Sequence, residues 1–191
     1  MKTRYPAMIA MTAAASLSII QADAAVTVLG NGLARSCFEH AEFGGNAKDG
    51  IDACTGAIEE TAIPVRDLAA TYINRGILKS RTDNTNGAVV DYDKGLSLDA
   101  ALGEGYVDRG AVMIVLRRYE DALADIDKGI ALGSNRLQIA YYDRAIVHEA
   151  LGNIRDAYED YRKAAEIQPD FALALQELAR FRVVRKSSDG T

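Results

Sequence analysis

Two cysteines are the residues of this sequence whose type and spacing most directly suggest chemistry. Cys37 and Cys54 are its only thiols, and they lie seventeen residues apart. Such a pair can form a structural disulfide, a redox couple or part of a metal site. The last two uses favour C-x-x-C spacing, which the chain lacks, and its histidines, His40 and His148, are far apart in sequence. An even number of cysteines in an exported chain favours the disulfide, with the redox and metal uses as alternatives.

The other patterns that would indicate catalysis are missing from the sequence. It has no G-x-S-x-G motif, no histidine cluster with metal-ligand spacing and no phosphate-binding glycine loop. The pairs Asp91 with Asp93 and Asp125 with Asp127 suggest calcium at first sight, but residues two apart on a helix do not face each other. We therefore predict a protein that is not an enzyme and holds no metal or cofactor.

The first 25 residues have the three-part pattern of a secretory signal. A charged start, "MKTR", precedes a mostly apolar stretch over 7–20, and Ala22 and Ala24 form an A-x-A site. The apolar stretch has about 14 residues, fewer than the roughly 20 that a membrane span needs. We expect cleavage after Ala24 or Ala25 and a periplasmic or secreted protein.

The charge of the chain argues against two classes of partner. Its net charge is −5, and loss of Lys2, Arg4 and Asp23 with the signal gives −6. An acidic protein has no general attraction for nucleic acid or for an anionic membrane surface. The composition, 49% hydrophobic and 26% charged, is that of an ordinary globular protein.

A five-residue motif that occurs three times predicts the architecture. It reads "YINRG" from Tyr72, "YVDRG" from Tyr106 and "YYDRA" from Tyr141, at spacings of 34 and 35. Further positions recur at the same spacings: Ala88, Ala122 and Ala157, then Asp91, Asp125 and Asp160, then Tyr92, Ile126 and Tyr161. A period near 34 with two helical segments predicts helical hairpins that bury their apolar faces only by stacking.

On these positions the sequence resembles the tetratricopeptide repeat (TPR) family. The last unit carries the family's aromatic, small, alanine, aromatic and proline positions as Tyr141, Ala145, Ala157, Tyr161 and Pro169. The sequence departs from the family where the arginine of each motif replaces a usual leucine. The resemblance implies an all-α fold, an α-solenoid of stacked antiparallel helix hairpins that forms a superhelix and ends in a C-terminal capping helix.

Alignment on the repeat predicts the organisation of the whole chain. It gives a signal peptide at 1–25, a degenerate N-terminal repeat at 26–68, TPR repeats at 69–102, 103–137 and 138–171, a capping helix at 172–185 and a flexible tail at 186–191. In the degenerate repeat, Cys37 and Cys54 fall on columns that face each other across the hairpin. The alignment therefore strengthens the interpretation of a disulfide that staples the end of the stack.

The arginine of each motif is followed sixteen residues later by an aspartate. In a folded-back hairpin this spacing can join the two side chains between helices, where a buried charge needs a partner. The predicted structural ion pairs are Arg75 with Asp91, Arg109 with Asp125, and Arg144 with Asp160. The small residue after each arginine, a glycine in two motifs, predicts a close approach of helices.

The resemblance also implies a binding surface, because this family generally binds peptides in the concave groove lined by the first helix of each hairpin. The corresponding positions in this chain are Ile73, Asn74, Ile77, Glu104, Val107, Asp108, Ala111, Ile114, Tyr142, Asp143 and Ile146. Packing between repeats is the alternative for the apolar members. Two cationic positions of the family's carboxylate-binding clamp are acidic here, Glu104 and Asp108, which argues against that use.

We therefore predict an exported, non-catalytic scaffold or adaptor that binds an apolar or basic segment of another protein. Two alternatives remain. One is a small enzyme or metal-binding protein on the same helical scaffold, and the other is a structural protein that associates with itself.

Overall fold

The structure, a computed structural model, describes residues 8–11, 25–28, 32–60 and 63–184. Most of these residues belong to helices. The helices are α1 (Leu33–Phe43), α2 (Ala47–Glu59), α3 (Val65–Ser80), α4 (Thr85–Leu98), α5 (Gly103–Val115), α6 (Tyr119–Ala131), α7 (Leu137–Ala150), α8 (Ile154–Ile167) and α9 (Ala172–Leu178).

The first eight helices form four hairpins that stack in sequence order. Each odd-numbered helix packs on the helix that follows it, and each hairpin then contacts the next. The first helices α1, α3, α5 and α7 also touch one another in succession, whereas the second helices lie farther apart. The stack therefore curves with the first helices on its inner side, which we call the concave face. This architecture confirms the predicted α-solenoid of stacked hairpins.

Local sequence explains where several helices begin and end. Asn46 and Asn84 cap α2 and α4, because their side-chain oxygens accept hydrogen bonds from the main-chain N–H groups of Lys48 and Gly87. After α7, Gly152 adopts φ 79°, a left-handed conformation that a glycine takes without a steric cost. These residues lie in the short connections inside the first, second and fourth hairpins and help to fix the geometry of those turns.

Large side chains on the second helices fill the space inside the hairpins. Tyr92, Ile126 and Tyr161, one from each clear repeat, are completely buried. Gly76 and Gly110 make room for them, since a Cβ atom at Gly76 would lie 2.7 Å from the ring of Tyr92 and one at Gly110 would lie 2.6 Å from Ile126. The small residue of each motif therefore allows close packing, at a cost of about 1 kcal/mol in helix propensity for a glycine relative to alanine.

The C-terminal end departs from the predicted organisation. Helix α9 ends at Leu178, short of the predicted span 172–185, and strand β2 (Phe181–Val184) follows it. Strand β2 pairs antiparallel with β1 (Met8–Met11), with Met8 opposite Val184 and Met11 opposite Phe181. The run Phe-Arg-Val-Val is rich in residues that favour strands, which accounts for the change of structure.

Two predicted segments lie largely outside the described residues. Strand β1 belongs to the predicted signal peptide 1–25, of which only residues 8–11 and 25 are described. The predicted tail 186–191 is not among the described residues. Of the helices in the described ranges, none combines the length and the apolar character that crossing a membrane requires.

Candidate functional site

The arginine of the central motif joins three helices. Arg109 on α5 donates from Nε and Nη2 to the two carboxylate oxygens of Asp125 on α6, each at 2.7 Å. Its Nη1 donates at 2.6 Å to Asp93 on α4, which belongs to the preceding hairpin. The side chain therefore closes its own hairpin and links it to the one before.

The same arrangement occurs in the neighbouring hairpins, and we call the whole set the arginine ladder. Arg144 binds Asp160 at 2.7 and 2.8 Å and reaches back to Asp127 at 2.6 Å. Arg75 binds Asp91 at 2.8 Å through two nitrogens and donates to the Thr55 hydroxyl of the degenerate hairpin at 3.1 Å. The structure thus contains all three ion pairs suggested by the sixteen-residue spacing.

Tyrosine rings and local charge stabilise the ladder. The guanidinium carbons of Arg75, Arg109 and Arg144 lie 5.4, 5.6 and 5.1 Å from the ring centres of the tyrosines that open their motifs. Hydrogen bonds to Asp125 and Asp160 raise the pKa of Arg109 and of Arg144 above its usual range, against the opposing effect of burial. These arginines are therefore permanently charged parts of the scaffold.

The two cysteines lie between the helices of the first hairpin. Cys37 on α1 and Cys54 on α2 are bonded, with their Cα atoms 4.7 Å apart, and both are fully buried. The bond closes the hairpin at the N-terminal end of the stack. No group of three or more His, Cys, Asp or Glu side chains suited to a metal occurs in the described part of the chain.

One column of the predicted groove residues lies in the interior of the stack. Ile73 packs against Gly95 and Gly105, and Val107 packs against Gly129. Tyr142, in the same column, has its ring 5.5 Å from the ring of Tyr161 and 5.5 Å from that of Phe171. These three side chains fill the space between helices, so the packing alternative applies to them.

The remaining predicted groove residues also lie on α3, α5 and α7. Asn74, Asp108 and Asp143 occupy the next column and are 0%, 2% and 1% exposed. Glu104 is half-buried, and its carboxylate accepts a hydrogen bond at 3.1 Å from the main-chain N–H of Asn135. The apolar residues Ile77, Ala111, Ile114 and Ile146 are all buried. In this structure most of the predicted groove side chains are therefore buried rather than exposed.

A short extended segment of the chain itself accounts for part of that burial. The main-chain N–H of Val26 donates to Asn74 Oδ1 at 2.7 Å, and Asn74 Nδ2 donates to the Val26 carbonyl at 2.9 Å. Ala25, Val26 and Val28 are buried, whereas Thr27 is exposed. Residues 25–28 therefore lie on the concave face with their main chain held by one asparagine side chain.

The surroundings of this segment show how far it extends across the concave face. A cavity of about 160 Å³ beside it is lined by Thr27, Arg66 of α3, Glu104 of α5 and Asn135 of the loop before α7. The segment belongs to the same apolar cluster as Ile77 of α3. It therefore contacts or borders elements of three successive hairpins.

An ion pair crosses the concave face between the two ends of the stack. Arg136, at the start of α7, donates from Nη2 to both carboxylate oxygens of Glu42 on α1, at 3.0 and 3.2 Å. The two residues are 94 positions apart and belong to the first and fourth hairpins. The stack is thus curved enough for its first and last hairpins to meet.

Comparison with known families agrees with this architecture. Residues 139–171, which span most of α7, all of α8 and the turn after it, match the family model described as "Tetratricopeptide repeat". The chain is a TPR protein. The matched unit contains Arg144 and Asp160, the last pair of the arginine ladder.

One curated relative resembles a large part of this TPR protein. It is 33% identical over 128 residues to the DnaJ homolog subfamily C member 7 homolog of Schizosaccharomyces pombe. The match covers 65% of this chain and 26% of the yeast protein. This chain therefore corresponds to about a quarter of that relative.

Solved structures of other TPR proteins share the fold. MamA superposes with a TM-score of 0.62 at 22% identity, over 74% of this chain and 80% of MamA. YrrB, described as a TPR protein with an unusual peptide-binding site, gives 0.60 at 27% identity, over 67% and 63% of the two chains. The first TPR of RPAP3, solved with the HSP90 peptide SRMEEVD, gives 0.55 at 23%, over 58% and 87%.

Two features of the site escaped the sequence analysis. The partner of Asn74 is a main-chain segment just after the expected cleavage site, and residues 25–28 are too few to carry a periodic signal. The second carboxylates of the ladder, Asp93 and Asp127, had a signal in the sequence: they recur 34 residues apart and precede the next arginine by 16 and 17 residues. That spacing would have identified them as links between hairpins.

Proposed function

We propose that this TPR protein is an exported interaction scaffold whose concave face binds an extended segment of another protein. The observation that carries the proposal is the pair of hydrogen bonds between Asn74 and the main chain of Val26. A carboxamide offers a donor and an acceptor together, so it can pair with both polar groups of one residue in an extended chain. Such a contact recognises main chain and does not depend on the side chain of the bound residue.

The apolar surroundings of Asn74 would supply most of the affinity. Ile77 and Leu102 belong to the cluster that buries Ala25, Val26 and Val28. Main-chain hydrogen bonds combined with small apolar pockets are a recurring way to bind extended peptides. The bound segment is therefore expected to be apolar near Asn74.

Farther along the concave face, acidic side chains would influence the choice of partner. Asp108 and Asp143 take the place of Asn74 in the next two repeats, and Glu104 lies at the start of α5. Ionised carboxylates only accept hydrogen bonds, so they favour N–H donors and basic side chains over acidic ones. The acidic HSP90 peptide bound by RPAP3 is thus an unsuitable model for the partner, and we propose an apolar or basic segment.

The proposal of export rests on two features. Residues 1–25 have the pattern of a cleaved signal, and the chain contains a buried disulfide of the kind that persists in oxidising compartments. We propose a periplasmic or secreted protein whose mature chain begins at Ala25 or Val26. Intact mass of the protein recovered from outside the cytoplasm tests this, and a mass that includes residue 1 would contradict it.

A non-catalytic role is part of the same proposal. It is supported by the sequence, which lacks the usual catalytic motifs, and by the use of the ladder residues as scaffold. Metal analysis of the purified protein provides an independent check, because stoichiometric metal would favour the metal-binding alternative.

Selection from a library of random short peptides tests the groove directly. Peptides enriched on the wild-type protein should lose most of their binding to Asn74→Ala. Asn86→Ala is the matched control, since Asn86 is an exposed residue of α4 on the second-helix side. Equal binding to all three proteins would show that the concave face near Asn74 is not the site.

The acidic residues of the concave face require a conservative substitution, because Asp108 and Asp143 are buried. Asp108→Asn with Asp143→Asn keeps the shape of both side chains and removes their charge. Basic peptides from the selection should bind this variant more weakly and with a flatter dependence on salt. Unchanged affinity and salt dependence would contradict the basic preference while leaving the apolar one intact.

A further inference from the structure

We propose that residues 25–28 are a resident copy of the ligand of the concave face. The site takes an extended segment with small aliphatic side chains two residues apart, and a partner segment binds by displacing the chain's own. This inference rests on the proposed function and specifies both the ligand and its regulation.

The alternation of burial defines the ligand. Over residues 26–28, Val26 and Val28 are buried at 9% and 6% exposure and Thr27 between them is exposed, while Ala25 before them is buried as well at 6%. Successive side chains of an extended chain point to opposite sides, so the two valines face the protein and the threonine faces solvent. The pattern is therefore a small aliphatic residue, any residue and a second small aliphatic residue.

The attachment of the segment makes it displaceable. The two hydrogen bonds that hold it to Asn74 both involve the main chain of the segment rather than its side chains. Any extended peptide can make the same two bonds, so the resident segment has no polar advantage over a competitor. Cleavage at the proposed site would also leave it tethered at one end only.

The short tether explains why the resident segment would compete effectively. Val28 is five positions before Leu33, the first residue of α1. A short link gives the segment a high local concentration at the site, of millimolar order for flexible links. The apparent affinity for a partner is lowered in proportion to the fraction of molecules in which the site is open.

Opposite effects of two substitutions in this contact test the inference. The probe is a fluorescent peptide AVTVLG, the sequence of residues 25–30, and its binding is followed by anisotropy. Val28→Asp places a charge in the apolar cluster and should expel the resident segment, so the probe should bind about ten-fold tighter or more than to wild type. Asn74→Ala should abolish binding, alone and in combination with Val28→Asp.

Matched controls separate this mechanism from a general disturbance. Val90→Asp makes the same valine-to-aspartate change at an exposed position of α4, where the side chain is 67% exposed, and should leave probe binding at the wild-type level. A probe with aspartate in place of its second valine, AVTDLG, should not bind the Val28→Asp protein. Circular dichroism verifies folding, and Val28→Ser replaces Val28→Asp if the aspartate variant is unfolded.

The possible results distinguish this inference from the proposed function. If folded Val28 variants bind the probe no better than wild type while selected peptides still require Asn74, the inference is wrong and the proposed function stands. If selected peptides do not require Asn74, both are wrong. A wild-type dimer in sedimentation that Val28→Asp converts to monomer would show that the segment occupies a second copy, which overturns displacement within one chain.

Discussion

Arg109 and Asp125 form a bidentate ion pair with both hydrogen bonds at 2.7 Å, and their side chains are 20% and 13% exposed. Breaking a fully buried pair costs about 3–5 kcal/mol, whereas an exposed pair is worth under about 1 kcal/mol. This pair lies between the two limits. We expect Arg109→Ala to lower the free energy of unfolding in urea by about 2 kcal/mol, mainly because Asp125 loses its partner.

A similar pair at the surface provides the control for this prediction. Arg118 and Asp121 are in contact at 2.6 Å but are 53% and 55% exposed, so Arg118→Ala should cost under about 1 kcal/mol. A double-mutant cycle of Arg109→Ala with Asp125→Ala should show favourable coupling. Purely additive effects would mean that the pair does not contribute to stability.

The link from Arg109 to Asp93 predicts a change in cooperativity rather than in stability. Asp93 is 57% exposed, so Asp93→Ala should cost under about 1 kcal/mol. Because repeat proteins are stabilised by contacts between nearest neighbours, loss of a link between hairpins should broaden the urea transition and lower its m-value. Asp121→Ala, which removes an equally exposed carboxylate from a contact within one hairpin, should leave the m-value unchanged.

Because of the disulfide, the stability of the protein should depend on redox conditions. Reduction of Cys37–Cys54, or replacement of both residues by alanine, should destabilise the protein by about 3 kcal/mol in the chain-entropy model. Unfolding in urea with and without a thiol reductant measures the difference. Alkylation of two thiols in the denatured, unreduced protein from its native compartment would show that the bond is absent.

The buried carboxyl of Glu149 should make the stability of the protein depend on pH in the acid range. Burial raises the pKa of its carboxyl above the usual 4.5, and the nearby Arg180 opposes that effect. A carboxyl whose pKa is raised by folding contributes stability below its unfolded pKa, and this contribution is lost as the pH rises through the folded value. Between pH 4 and pH 7, wild type should therefore lose stability relative to Glu149→Gln. Parallel stability curves for the two proteins would contradict the shift.

Repeated positions could be predicted from the sequence, and unique ones could not. Arg75, Arg109 and Arg144 occupy the same position in three repeats, and each is followed by an aspartate at the same distance. Agreement among the three repeats therefore supports the predicted ion pairs. The facing columns of Cys37 and Cys54 follow from the same alignment. Periodicity therefore predicts the fold and the contacts inside each hairpin well.

Contacts that occur only once in the structure leave no periodic signal in the sequence. The pairing of Asn74 with Val26 spans 48 positions, and that of Glu42 with Arg136 spans 94. Both depend on the curvature of the whole stack, which is the sum of small rotations between hairpins. A single sequence carries no direct signal of that sum, so neither contact at the candidate site could be predicted.

The arginine ladder has a direction, and it stops at α8. The position that reaches the next hairpin is occupied by Thr55, Asp93 and Asp127 in the first three hairpins, but by Arg162 in the fourth. Arg162 is 54% exposed and is in contact with Glu159 and Glu166 of its own helix. A further hairpin of the same kind stacked on α8 would bring its motif arginine against this one. The repulsion would disfavour both longer engineered arrays and end-to-end polymers of the protein, and Arg162→Asp would remove it.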